Sequence, residues 1–273
     1  MLEWLNEMAG SVTEPEHAYR FTIFSLISGW FWTCAYLLAI WNGFKYKTYC
    51  VPAPAICMNL AWELLGALNV SDYAPVWVWL CRLAVVLDSI IFLTAMLYGA
   101  KQQRPWLSNE NIFRTLMLLG LVFMCGIQYL HIHSLDGLSL IDESPNPQLV
   151  SKVRYLSMAD TYIINLLMSI MFLTWFFEQH GPFDRKRDPR FSLSVAIFKM
   201  LGTAITLGPV MQLDGQHFTI DMKAYLISMA MTCVAVDVAY IVFVAKMQVG
   251  VLAQPTEDRL GHVGKEAMAA GQP

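Results

Sequence analysis

Residues 76–99 read VWVWLCRLAVVLDSIIFLTAMLYG, with Arg82 and Asp88 the run's charged residues. About 20 mostly apolar helical residues cross a hydrocarbon core roughly 30 Å thick. Lipid offers no hydrogen bonds to an open backbone, so a run of this kind must cross as a helix. Six further runs repeat the pattern, at about 20–41, 50–70, 111–133, 156–178, 191–213 and 222–246. Together they predict an all-α integral membrane protein with seven transmembrane helices in one bundle. The seven spans fill residues 1–249 as a single domain. The tail 250–273 is polar and small-residue-rich, and is expected to be disordered. Most connections are short. The exception is 134–155, where Pro145 and Pro147 predict irregular backbone.

The composition agrees. The chain has 273 residues, 56% apolar and 14% charged, against about 25% charged in soluble domains. That excludes a disordered chain, a nucleic-acid binder with a basic face and an ordinary soluble enzyme. Six cysteines lie in or beside apolar runs without a CxxC pair, so they read as small buried residues. The polar, acidic start lacks the basic, then apolar, pattern of a cleaved signal.

Lys and Arg set the orientation. Lys45, Lys47, Lys101, Arg104, Arg114, Arg185, Lys186, Arg187, Arg190, Lys246, Arg259 and Lys265 fall on one side, and Arg20, Lys152, Arg154 and Lys223 on the other. The richer side is expected to be cytosolic. The N-terminus is then outside or lumenal and the C-terminus cytosolic. Arg82 and Lys199 lie toward span ends and are expected to snorkel. Asn69-Val70-Ser71 matches a glycosylation sequon at the membrane edge.

Three acids fall near the middle of spans: Glu63, Asp88 and Asp237. An ionisable group there costs about 2.5–3.5 kcal/mol on insertion scales, so each needs a reason. One reason is structural, a hydrogen bond that ties helices together. The other is chemical: a carboxylic acid kept neutral in an apolar pocket can deliver a proton. Asn59 lies one turn before Glu63 and Tyr240 lies three residues after Asp237, so each acid has a polar companion on its own helix face. For Asp88 the two readings stay balanced.

The rings divide similarly. Trp4, Trp41, Tyr46, Tyr49, Trp106 and Trp175 are expected in the interfacial belts. Trp30, Trp32, Tyr36, Trp62 and Tyr240 lie deeper. Their π faces either pack helices or attract cations in a pocket. His131 and His133 end a span and read as interfacial. No pattern calls for a metal, haem or other cofactor.

Lys47-Thr48-Tyr49, Asn59-Leu60-Ala61-Trp62-Glu63 and Asp237-Val238-Ala239-Tyr240, with the span count, resemble the small seven-span integral membrane terpene cyclases. These comprise fungal meroterpenoid and indole-diterpenoid cyclases and bacterial relatives. Residues 1–19 match poorly and 250–273 add nothing. The resemblance implies protonation of a terminal epoxide on a hydrophobic prenyl chain of farnesyl or geranylgeranyl type. A carbocation then closes rings, without metal or diphosphate. It implies Glu63 and Asp237 as the catalytic acids. Glu63 is assigned as proton donor and Asp237 as second acid or relay, with the roles open to exchange. Asn59, Trp62, Tyr240, Asp88, Trp30 and Tyr36 are expected to contact substrate. The membrane is the endoplasmic reticulum in a fungal host or the plasma membrane in a bacterial one.

The rival readings are a proton-coupled transporter and a seven-span receptor. A retinal protein is disfavoured because the last span carries Asp237 at mid-depth, where a Schiff-base lysine would be required. The lack of a repeat between halves weighs against inverted-repeat transporters.

Overall fold

The computed structural model describes Trp4, Glu7, Met8 and residues 17–69, 74–102, 108–137, 147–179, 188–212 and 220–252. The helices are α1 (Ala18–Tyr46), α2 (Ala53–Ala67), α3 (Pro75–Tyr98), α4 (Glu110–Gly137), α5 (Pro147–Gln179), α6 (Leu193–Ile205), α7 (Leu207–Met211) and α8 (Ile220–Leu252), with a 3₁₀ turn at Ala100–Gln102. No strand occurs among the described residues. Most of 134–155's centre, the end of the sequon, Trp106, most of the basic residues of the later loops and 253–273 lie outside the described residues. Helix α4 runs to Gly137 and α5 begins at Pro147, so the described parts of the 134–155 stretch are helical.

Six segments are long and apolar enough to cross a membrane: Ala18–Tyr46, Pro75–Tyr98, Glu110–His131, Ala159–Gln179, Leu193–Met211 and Lys223–Gln248. The run expected at 50–70 is instead a 15-residue helix. At 1.5 Å per residue it spans about 22 Å. Its ends are set by local chemistry. Pro52 precedes it and Pro54 occupies its first turn, where a missing N–H costs nothing. Asn69 takes a left-handed φ of 54° just after it. Ten of its fifteen residues are buried, so α2 is an interior helix.

Helix α1 stops where Lys47 turns left-handed at φ 50° and its amide, like that of Thr48, donates to Gly43 O. The Thr48 hydroxyl donates to Gln102 Oε1 at 2.7 Å, and Gln102 Nε2 donates to Lys47 O at 3.2 Å. These bonds clasp the α1–α2 connection to the end of α3. Between α6 and α7 the helix breaks at Thr206. Pro209 has no N–H for the carbonyl one turn back, and its ring would clash there. Side chains brace the break: Thr206 Oγ1 donates to Thr203 O at 2.6 Å, and the Tyr162 hydroxyl donates to Thr206 O at 3.2 Å.

Helix α1 packs on α3 and α6, α6 on α8, α8 on α5, and α2 is wedged among α3, α4 and α5. Two packed layers close the ends of this ring. One, near the start of α1, contains Phe21, Val76, Tyr162, Val210 and Leu226. The other, at the far end, contains Tyr49, Trp175, Phe176, Phe191 and Val244. Trp175 lies 4.7 Å from Phe191 and stacks on Tyr49 at 5.2 Å between centroids. Tyr49 and Trp175 are buried, which corrects their assignment to an interfacial belt. Trp41 and Tyr46 do face outward. Their neighbours Lys45 and Lys47 share that far end, by chain direction, with Lys101, Arg114, Arg190 and Lys246.

Gly99 tests this packing. A Cβ there would lie 2.5 Å from both Ala95 O and a Phe113 ring carbon. Gly99→Val should lower stability by about 1–3 kcal/mol through overpacking. Thermal unfolding of the detergent-solubilised protein measures this, and an unchanged midpoint contradicts the close approach of α3 and α4.

Candidate functional site

Between the two packed layers lies a cavity of about 140 Å³. Helix α1 contributes Ser25, Ser28, Gly29, Trp32, Thr33 and Tyr36; α2 contributes Asn59, Trp62 and Glu63; α3 contributes Trp77, Leu80, Cys81 and Ala84. Helix α5 adds Thr161, Tyr162, Ile164 and Asn165, and the α6–α7 break adds Thr206, Pro209 and Val210. The wall is mostly apolar and aromatic, with a few polar groups converging on it, the usual make-up of a small-molecule site.

Glu63 is the acid on this wall, and it is only 7% exposed. The Cys81 thiol of α3 is an electrostatic neighbour of its carboxyl. Asn59, one turn earlier on α2, donates from Nδ2 to the Tyr36 hydroxyl oxygen at 2.9 Å and also to Asp88 Oδ2. Asp88 is fully buried behind Asn59 and does not line the cavity. Its Oδ1 has no hydrogen-bond partner among the described residues. Three helices are thus joined around Asn59, and Glu63 stands on the cavity side of that junction.

Asp237 sits elsewhere. It is 2% exposed, off the cavity wall, and paired with Lys199 of α6. Lys199 Nζ donates to Asp237 Oδ1 at 2.6 Å, to Asp237 Oδ2 at 2.8 Å and to Ser169 Oγ at 2.6 Å. Nζ also lies 5.8 Å from the Trp32 ring centroid and 5.9 Å from that of Phe172. The expectation that Lys199 snorkels is corrected. Ser192 caps α6 by accepting from the Val195 amide. That start places Lys199 in the middle of a 13-residue helix that packs against α1 and α8. A lysine buried there needs an anion, because an isolated interior charge is far costlier than a paired one. Arg82 keeps its exposed position, with its guanidinium 4.9 Å over the Trp79 ring.

The expected site residues therefore separate into groups. Tyr36, Asn59, Trp62 and Glu63 share the cavity wall, with Asp88 directly behind. Tyr240 is 3% exposed and packs on Phe172 at 5.5 Å, away from the cavity. Trp30 is 65% exposed on the outside of α1, whereas Trp32, two residues on, lines the cavity. The sequence reading did not single out Cys81, Asn165, Ser169 or the pairing of Lys199. A lysine and an aspartate inside two different spans are a detectable signal for the last. Among the described residues, no three His, Cys, Asp or Glu side chains gather as a metal site requires.

Residues 11–137 match the family described as Pyr4-like transmembrane terpene cyclases. The chain is also 29% identical over 131 residues to the terpene cyclase ascF of Acremonium egyptiacum. That alignment covers 43% of this chain and 44% of ascF, so the chain spans less than half the length of the relative it matches. No solved structure matches. The family match covers the part that carries Tyr36, Asn59, Glu63 and Asp88. Asp237 lies beyond it.

The ion pair makes a sharp prediction. Lys199→Met leaves Asp237 buried without its cation and should destabilise the protein by about 3–5 kcal/mol. Adding Asp237→Leu should recover most of that loss. Thermal midpoints of the two singles and the double form the cycle, and additive losses contradict the pairing.

Proposed function

We propose that a chain with this cavity, matched through its first half to membrane terpene cyclases, cyclises an epoxidised prenyl substrate by proton donation from Glu63. The observation that carries the reading is a single one: a carboxyl stands on the wall of an apolar, ring-lined cavity between the helices of the bundle. Glu63 in its acid form passes its proton to the oxirane oxygen. The bond from that oxygen to the more substituted carbon breaks, its electrons stay on oxygen, and a tertiary cation forms. Neighbouring alkenes attack in turn, and loss of a proton or capture of water ends the cascade. Exclusion of water protects the cation until then. Trp32, Trp62, Trp77 and Tyr36 offer π faces toward it.

In this reading Asp237 is not the donor. Its carboxylate is engaged by Lys199, which also donates to Ser169, and it holds the back of the site in place. Helix α2, with its buried approach at Tyr49, Cys50 and Val51, serves as the seventh crossing. The basic far end faces the cytosol, and the N-terminus faces the lumen or exterior. The host membrane is endoplasmic reticulum in a fungus or plasma membrane in a bacterium. The Lys199–Asp237 pair is the feature that favours the alternative of a proton-coupled transporter.

Membranes holding the protein should cyclise an epoxidised farnesyl- or geranylgeranyl-type acceptor, read by product mass and retention. Glu63→Gln should cut product at least about 10²-fold, the low end of general-acid contributions, with expression and thermal midpoint kept. Asp237→Asn should lose product and stability together. Full activity in the Glu63 variant overturns the mechanism. Proton-driven vesicle uptake without cyclised product from any epoxide favours the transporter.

A further inference from the structure

Asn165 is a polar group on the cavity wall that the chemistry above leaves unused. It stands on α5, one turn after Thr161, and is 8% exposed. Its backbone carbonyl accepts from the Ser169 hydroxyl at 2.9 Å, and Ser169 accepts in turn from Lys199. The residue is therefore anchored through its main chain to the buried ion pair. Its side-chain Oδ1 is buried and has no hydrogen-bond partner among the described residues.

Other polar groups of the wall are engaged within the protein. Ser28 Oγ donates to Gly202 O at 2.8 Å, Thr33 Oγ1 to Gly29 O at 2.7 Å and Thr206 Oγ1 to Thr203 O at 2.6 Å. Ser25 Oγ accepts from Trp77 Nε1 at 3.0 Å. Against that background an open acceptor is an exception, because buried polar atoms are normally paired and an unpaired one costs free energy that a partner restores. Helices α2 and α5 pack on each other, so Glu63 and Asn165 enter the same cavity from neighbouring helices.

We propose that Asn165 Oδ1 is a ligand-binding acceptor that takes a hydrogen bond from a hydroxyl of an isoprenoid bound in the cavity. The binding claim stands on the cavity geometry. Its placement in the reaction rests on the cyclase reading. There the hydroxyl is the one formed at the epoxide: the proton leaves Glu63, the oxirane C–O bond breaks, and the new O–H points at Asn165. The intact epoxide has no donor to offer, so this bond appears as the ring opens. It therefore favours the transition state over the bound substrate.

The test uses the full chain purified in detergent, with farnesol and the hydrocarbon farnesene as probes read by tryptophan quenching. Wild type should bind farnesol about 10-fold tighter, the scale of one well-placed hydrogen bond. Asn165→Leu should erase that preference, keep farnesene binding and keep the thermal midpoint of the empty protein. Should the leucine variant fail to fold, Asn165→Ala serves in its place. In cyclisation assays the variant should lose roughly 10-fold or more in kcat with KM little changed. A wild type without alcohol preference, or a folded variant that retains it, overturns the proposal. An Asn165-dependent preference in a protein that cyclises nothing removes the cyclase reading alone. Normal cyclisation by the variant, with its preference intact, removes this inference alone.

Discussion

A lysine and an aspartate buried together, Lys199 on α6 and Asp237 on α8, form the interaction on which the rest of the bundle depends. Neither charge is tolerable alone in such a place. Paired, and joined to Ser169, they tie α5, α6 and α8 at one level. The position of α6 then sets the cavity. Gly202, one turn past Lys199, lets Trp32 approach so closely that a Cβ would lie 2.6 Å from its ring. Ser28 of α1 donates to the Gly202 carbonyl. The ion pair thus fixes α6, α6 fixes Trp32, and Trp32 closes one wall of the cavity.

The two acids that resemblance places together do different work in this arrangement. Asp237 neutralises a cation and carries helix packing. Glu63 faces the cavity with an amide network behind it, and its electrostatic neighbours are the Cys81 thiol, the Asp88 carboxyl and the Tyr36 hydroxyl. Asp88, held by Asn59, adds a second carboxyl to that network. A carboxyl with acidic neighbours and an apolar front is suited to hold and release a proton. One locked to a lysine is suited to hold a charge.

Much of this was legible from depth and periodicity. The six long spans stand close to where hydropathy places them, because length and apolarity alone define a crossing. Glu63, Asn59 and Asp88 were visible because a polar residue inside an apolar run must have a purpose. What stayed hidden depends on which way a helix faces. Trp30 and Trp32 have the same depth and chemistry, yet one faces outward and the other lines the cavity. Lys199 looked terminal in a run drawn from 191 to 213. The break at Thr206 and the cap at Ser192 make it the middle of a shorter helix. The run at 50–70 was drawn through Pro52 and Pro54 because hydropathy does not register where a backbone can begin to coil.

Infrared spectroscopy of the carboxyl groups tests the division of roles between Glu63 and Asp237 most directly. The protonated-carboxyl stretch of the membrane-embedded protein at neutral pH is compared among wild type, Glu63→Gln and Asp237→Asn. The Glu63 variant should lose intensity in that band while the Asp237 variant keeps it. Loss of the band in Asp237→Asn, with none in Glu63→Gln, would assign the available proton to the wrong acid and contradict the mechanism.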